Sequence, residues 1–204
     1  ILKSVMENQY NQPLDELIQQ HFYNSLGANM STYNPLDKFQ KKYIIPTEID
    51  NYYRNDKVQG YVHDMGAAMQ GGIGGHAGLF SNSNDVAKMM QLFLQQGNYG
   101  DKRYFSSKTF NRFNFCHYCK QNNRRGIGFD KPQLGNIGPT CGCLSMESFG
   151  HSGFTGTYAW ADPDKEIVYV FLANRTFPKS DSNRLLKENI RTEIQRLIYK
   201  SIVE

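Results

Sequence analysis

The chain has 204 residues, 39% hydrophobic and 21% charged, with 23 Lys and Arg against 19 Asp and Glu for a net charge of +4. That apolar content suffices for a folded core, and the even scatter of acids and bases, with no basic block, argues against nucleic acid as a partner. No apolar run approaches membrane-spanning length, and the opening Ile1-Leu2-Lys3 shows neither a signal peptide nor an initiator Met, as expected of a piece of a longer protein.

In chain order, Ile1, Leu2, Val5 and Met6 have helical spacing and read as the end of a helix reaching to Asn11. Pro13 opens a second helix, with Asp15 and Glu16 at its positive end and Gly27 as its C-cap. Leu14, Leu17, Ile18, Phe22 and Leu26 form its buried stripe. Residues 31–59 are polar and loop-like apart from a strand at Tyr43–Thr47, and Gly60–Asp64 reads as another short strand. His63, Asp64 and His76 invite a catalytic dyad or a metal set. Neighbours on a strand point to opposite faces, however, so structural hydrogen bonding is the reading for both histidines. The glycine cluster Gly71–Gly78 has no strand before it and no Lys or helix directly after it, so it reads as a tight turn rather than a phosphate loop.

Ser81–Gln96 is the clearest helix: Asn82 caps it, Val86, Met89, Met90, Phe93 and Leu94 are buried, and Gly97 ends it. Asn98–Phe105 reads as a small hairpin over Gly100-Asp101, and Ser106–Phe115 as a short helix with Phe110, Phe113 and Phe115 in the core. Cys116, Cys119, Cys141 and Cys143 leave three states open: a structural zinc site, two disulfides, or free thiols in a long loop. Residues 121–145 are polar, and the pair Arg124-Arg125 is read as solvated or salt-bridged. Strands are expected around 147–152, 155–161 and 166–174, the last two joined by the turn Asp162-Pro163-Asp164-Lys165. Ser182–Val203 is a final amphipathic helix, with Leu185, Leu186, Ile190, Ile194, Leu197 and Ile198 covering one face of the sheet.

One stretch is more specific. His151-Ser152-Gly153-Phe154-Thr155-Gly156-Thr157, followed by a strand with Trp160 and an Asp-Pro turn, resembles the third motif of the serine β-lactamase and penicillin-binding-protein superfamily. The likeness is to the class C-like branch, which includes D-Ala-D-Ala carboxypeptidases and esterases. There the motif reads Lys-Thr-Gly and accompanies an upstream Ser-x-x-Lys; here His stands for Lys and Ser for Thr. Gln12-Pro13-Leu14 through Ser25-Leu26-Gly27 is similar to a helix of that family, and Gly74-Gly75-His76-Ala77-Gly78-Leu79-Phe80-Ser81 to a segment bordering its cleft. Arg124–Pro132 looks like a subgroup fused behind family 3 glycoside hydrolases.

The resemblance implies an α+β, partial β-lactamase/transpeptidase-like fold with an antiparallel sheet flanked by helices. Residues 1–204 would be its C-terminal portion, without the nucleophile-bearing N-terminal portion. No serine in the chain has Lys three residues later, so the nucleophile pair is absent from it. Tyr53-Arg54-Asn55 spells the family's second motif but lies on the wrong side of the Pro-Leu-Gly helix, and Tyr53 is read as a decoy. By resemblance, His151 and Ser152 would meet the substrate carboxylate, Gly153 would let the acyl group approach, and the Phe154 N–H would donate to the oxyanion. The implied parent is a cofactor-free serine hydrolase, periplasmic or extracellular, acting on a peptidoglycan-like peptide, an ester or a β-lactam. The alternative is a non-catalytic binding or scaffolding module attached to a glycosidase. A sheet edge left bare by the missing strands would invite a homodimer. All of this requires His151 to be exposed at the side of an antiparallel sheet.

Overall fold

A computed structural model of the chain describes residues 1–133, 138–181 and 183–202. Two compact units divide it: Ile1–Val86 with Asn174–Ser182, and Ala87–Ala173 with Asn183–Glu204. No helix among the described residues is long and apolar enough to cross a membrane.

The first unit begins with helix α1 (Leu2–Tyr10), which buries none of its residues and ends on left-handed Asn11. Helix α2 (Leu14–Ile18) runs without a break into a π-helical segment, Gln19–Tyr23, and then into α3 (Asn24–Leu26), which Gly27 caps in the left-handed conformation. The π-segment corrects the expected stripe. Leu14, Leu17 and Leu26 are buried as expected, but Tyr23 rather than Phe22 is buried beside them. One residue inserted into the turn rotates the following side chains by one position.

Strand β1 (Pro46–Asp50) pairs antiparallel with β2 (Asp56–Gln59), through an irregularity between Pro46 and Glu48. Both strands differ from expectation: the first lies three residues later than Tyr43–Thr47, and the second precedes Gly60 rather than following it. The turn between them sets the pairing. Asp50 accepts from the N–H groups of Tyr52, Tyr53 and Arg54 and from the Arg54 side chain, whose guanidinium also reaches Glu48 and the Val62 carbonyl. Burial alone would raise the Asp50 carboxyl, but these donors outweigh it and hold it well below the usual carboxylate range. Residues 174–178 run back along β1, where Thr176 donates to the Thr47 carbonyl and Ile49 N–H to that of Pro178. The short helix α4 (Met65–Ala68) is capped by Asp64.

Helix α5 (Ser83–Leu94) is capped by Asn82, which accepts from Asp85 N–H at 2.8 Å. The second unit continues with a hairpin of β3 (Asn98–Tyr99) and β4 (Lys102–Arg103), then helix α6 (Ser107–Asn114) behind its Ser106 cap. Its centre is an antiparallel sheet of β5 (Phe149–Ser152), β6 (Tyr158–Asp162) and β7 (Ile167–Phe171), in the order β5–β6–β7. The outer edge of β7 carries no strand among the described residues.

Period-two alternation sorts the two faces of this sheet. Tyr158, Trp160 and Tyr169 share one face and form a buried cluster, with Ile198 of the C-terminal helix packed on it. Phe149 lies on the other face, inside a group of edge-packed rings from Phe93, Phe110 and Phe129. Phe110 is core as expected, whereas Phe113 and Phe115 are exposed, because α6 ends at Asn114 and turns only one side inward.

The predicted terminal helix is two helices, α7 (Arg184–Lys187) and α8 (Ile190–Ser201), separated at Asn189, which is left-handed with φ 51°. The predicted ends Ser182 and Val203 lie outside the described residues. The attachment of α8 is more polar than an apolar stripe suggests. Buried Gln195 accepts from the Tyr158 hydroxyl and Cys141 N–H, Tyr199 donates to Asp162 at 2.6 Å, and Tyr169 donates to the Arg191 carbonyl. Leu186, Ile194 and Leu197 remain exposed.

One glycine fixes the spacing of β5 on β6. A Cβ on Gly150 would stand 2.3 Å from the Ala159 carbonyl oxygen and 2.4 Å from Cγ of its cross-strand partner Trp160, which is 1% exposed. Neither neighbour is the loose end of a side chain, so Gly150→Ala is expected to lower stability by about 1–3 kcal/mol through overpacking. Equilibrium urea unfolding checks this, and an unchanged midpoint would contradict it.

Candidate functional site

The triplet singled out from the sequence closes β5 and enters the turn to β6. His151 and Ser152 are the last two strand residues, paired with Ala159 and Tyr158. Gly153 N–H donates to the Thr157 carbonyl and Gly156 N–H to that of Gly153, which folds residues 153–157 into a tight connection. A Cβ at Gly153 would stand 2.2 Å from Thr157 Oγ1, so a larger residue there would require the Thr157 hydroxyl to rotate away. Phe154 presents its side chain to solvent, and His151 is 54% exposed. β5 is an edge strand of the antiparallel sheet, so the placement required of His151 is met.

The segment before β5 leans against it. Lys131 N–H donates to the Arg124 carbonyl, closing a loop over residues 124–131. Asp130 and Gly150 then exchange two backbone hydrogen bonds, of 2.8 and 3.2 Å, as a single antiparallel bridge on the outer side of β5. This places Asp130 Oδ2 3.9 Å from His151 Nε2, while Asp130 Oδ1 accepts from Arg125 Nε at 2.9 Å. His151 Nδ1 lies 2.8 Å from the Ser152 carbonyl oxygen. Arg124 instead donates to the Pro132 carbonyl at 2.8 Å. Of the two readings for this pair, Arg125 is salt-bridged, while Arg124 hydrogen-bonds to the backbone.

Sequence reasoning singled out Arg125 but missed Asp130 and Lys131, whose roles rest on contacts some twenty residues away along the chain. Lys131 is 5% exposed and donates to Asn114 Oδ1 at 3.0 Å and to the Glu147 carbonyl at 2.9 Å. It thus ties the loop to the end of α6 and to the entry of β5. Burial pulls its ammonium down to about 8, with Glu147 opposing that shift and Arg124 adding to it.

The remaining candidates fall into structural roles. Tyr53-Arg54-Asn55 is the β1–β2 turn, with Asn55 at positive φ. His63 faces Glu48 at 3.4 Å, and His76 pairs with Asp64 at 2.9 Å, so His63 and Asp64 take different partners, as expected. No group of three or more His, Cys, Asp or Glu side chains is placed to hold a metal ion among the described residues. Of the three cysteine states, the structure has the disulfide one, Cys116–Cys119 and Cys141–Cys143.

Comparison with known proteins follows the same line. The family model described as Beta-lactamase matches residues 1–190. A protein named putative D-alanyl-D-alanine carboxypeptidase in Escherichia coli O157:H7 is 35% identical over 188 residues, which are 86% of this chain and 43% of that protein. A like-named protein of Salmonella enteritidis PT4 is 34% identical with the same coverage. The chain thus spans less than half the length of these curated relatives. Among solved structures, a beta-lactamase from Mycobacterium bovis superposes with a TM-score of 0.63 at 15% identity, covering 98% of this chain and 60% of the other. EstCE1, described as a hydrolase with promiscuous acyltransferase activity, gives 0.61 at 13% identity over 97% and 54%. These likenesses show the fold: α+β and β-lactamase/transpeptidase-like.

Lys131 yields a pH prediction whose sign is fixed. Between about pH 8 and the ordinary lysine value the unfolded chain holds one more proton than the folded one, so this group adds stability as pH rises. From pH 7.5 to 9.5 the gain is about 1–2 kcal/mol. Lys131→Met is expected to remove that rise. Urea midpoints at the two pH values check it, and equal pH dependence in both proteins would contradict it.

Proposed function

The chain belongs to the Beta-lactamase family, and on that premise we propose that β5 and the turn after it form one wall of an acyl-transfer site in a serine hydrolase of the cell envelope. The observation that carries the reading is the exposure of His151 on an edge strand of an antiparallel sheet, with half-buried Ser152 and Gly153 leading from it into the turn. The substrate class is a peptide with a free carboxylate close to the scissile carbonyl, in keeping with the name carried by the curated relatives.

In this reading each residue has a distinct task. The His151 ring meets the carboxylate from the exposed face of the strand, and Ser152, the last strand residue, leads the chain into the turn beside it. Gly153 lets the acyl chain lie against the strand. Phe154 N–H donates to the oxygen that becomes negative as the serine adds to the carbonyl, a contribution of about 3 kcal/mol to the barrier. The serine proton passes to a base and then to the departing amine, leaving an acyl ester that water cleaves. Nucleophile and base come from outside these 204 residues, which contain no Ser-x-x-Lys.

Labelling tests the proposal. The longest natural product containing this chain is treated with a fluorescent penicillin and with a serine-directed phosphonate. It is expected to take up at least one label, and His151→Ala is expected to slow uptake about 10- to 100-fold. Absence of label from both probes would overturn the reading.

A further inference from the structure

Arg191 stands in the first turn of α8, two residues after left-handed Asn189 starts that helix. A cation in a first turn opposes the positive end of the helix dipole, so α8 itself gains nothing from the charge. The partners of the side chain lie elsewhere. Arg191 Nη1 donates to the Thr157 carbonyl at 3.2 Å and to the Gly156 carbonyl at 3.4 Å, and the guanidinium carbon lies 5.4 Å from the centre of the Tyr158 ring. One side chain of α8 therefore holds three consecutive residues, from the end of the β5–β6 turn to the first residue of β6.

The Thr157 carbonyl is the joint. A carbonyl oxygen has two lone pairs. This one takes Arg191 from the helix and, at 2.8 Å, Gly153 N–H from across the turn. Gly156 makes the second link: its carbonyl takes Arg191, and its N–H donates to the Gly153 carbonyl at 3.0 Å. Both routes end on Gly153. The Gly153 carbonyl and the Phe154 N–H belong to one planar trans peptide and point in opposite directions. Tying the carbonyl into the turn thus sets the direction of the N–H. The bonds within the turn are neutral backbone bonds, whereas those from Arg191 are charge-assisted and the stronger ones.

We propose that Arg191 is a positioning residue for acyl transfer: from α8 it clamps the turn so that the Phe154 N–H is held in place for the oxyanion. The purpose of the clamp rests on the acyl-transfer reading; the clamp itself does not. Arginine suits the task because its planar group donates to two carbonyls while lying over the Tyr158 ring. Lysine has the charge and the donors but no plane to lay on the ring.

The test has two arms, both on the longest natural product containing this chain. Amide hydrogen exchange without any ligand reads the clamp. In Arg191→Met the amides of Gly153 and Gly156 are expected to exchange about 5- to 20-fold faster, while those of Trp160 and Tyr169 keep their wild-type rates. The serine probe that labels the wild-type protein reads the purpose. Its saturating labelling rate is expected to fall about tenfold in Arg191→Met. The half-saturating probe concentration is expected to change by less than about twofold, because the oxyanion contact is made in the transition state. Arg191→Lys is expected to recover part of the loss in both arms. Should Arg191→Met not fold, Arg191→Lys carries both arms alone, with changes of about two- to threefold in the same directions. Unchanged exchange at Gly153 and Gly156, exchange that quickens evenly across the sheet, or a loosened turn with an unchanged labelling rate would each overturn the proposal. A loosened turn in a protein that neither serine probe labels leaves the clamp standing and overturns the acyl-transfer reading instead.

Discussion

The close approach of Gly150 to Trp160 is the constraint from which the candidate site follows. Because Gly150 has no Cβ, β5 lies tight against the buried ring on β6. On the outer side of the strand the same residue exchanges two backbone hydrogen bonds with Asp130. The alternation that sends the Trp160 face toward α8 sends Phe149 and His151 to the other side of the strand. Phe149, surrounded by rings, anchors that side, and two residues later the strand delivers an exposed histidine.

Behind the sheet, polar side chains join the packing of Ile198 in setting the position of α8. Asp162 accepts from Ser145, Asp164 and Tyr199, joining the loop before β5, the turn after β6 and the terminal helix at one carboxylate. Burial works to raise this carboxyl, and its donors more than compensate. Gln195 makes a second such junction between β6, α8 and the Cys141 backbone. These junctions demand specific geometry, which fixes the register of the helix on the sheet. An apolar stripe alone would let it slide.

What the sequence made legible was local. The His-Ser-Gly triplet, the Asp-Pro turn, the Asn82 cap and the left-handed Gly27 each depend on residues within a few positions of one another, and each is where the pattern put it. The misreadings share a cause, which is that the deciding interaction was not local or not periodic. A π-segment shifted burial from Phe22 to Tyr23. Asp50 and Arg54 drew the first hairpin three residues downstream of the hydrophobic signal. Asn189, a residue type that tolerates the left-handed region, broke a helix that looked continuous by periodicity. The backbone bridge between Asp130 and Gly150 was invisible for the same reason: the two are twenty positions apart, and only the folded loop brings them together.

The central claim is that the end of β5 and its following turn line the place where the acyl group is transferred. Amide hydrogen exchange tests it directly, on the longest natural product containing this chain, with and without a peptide boronic acid that mimics the tetrahedral state. The account predicts that the largest gain in protection in this portion of the protein falls within residues 149–157. Protection that leaves those residues unchanged while appearing elsewhere in the chain would contradict it.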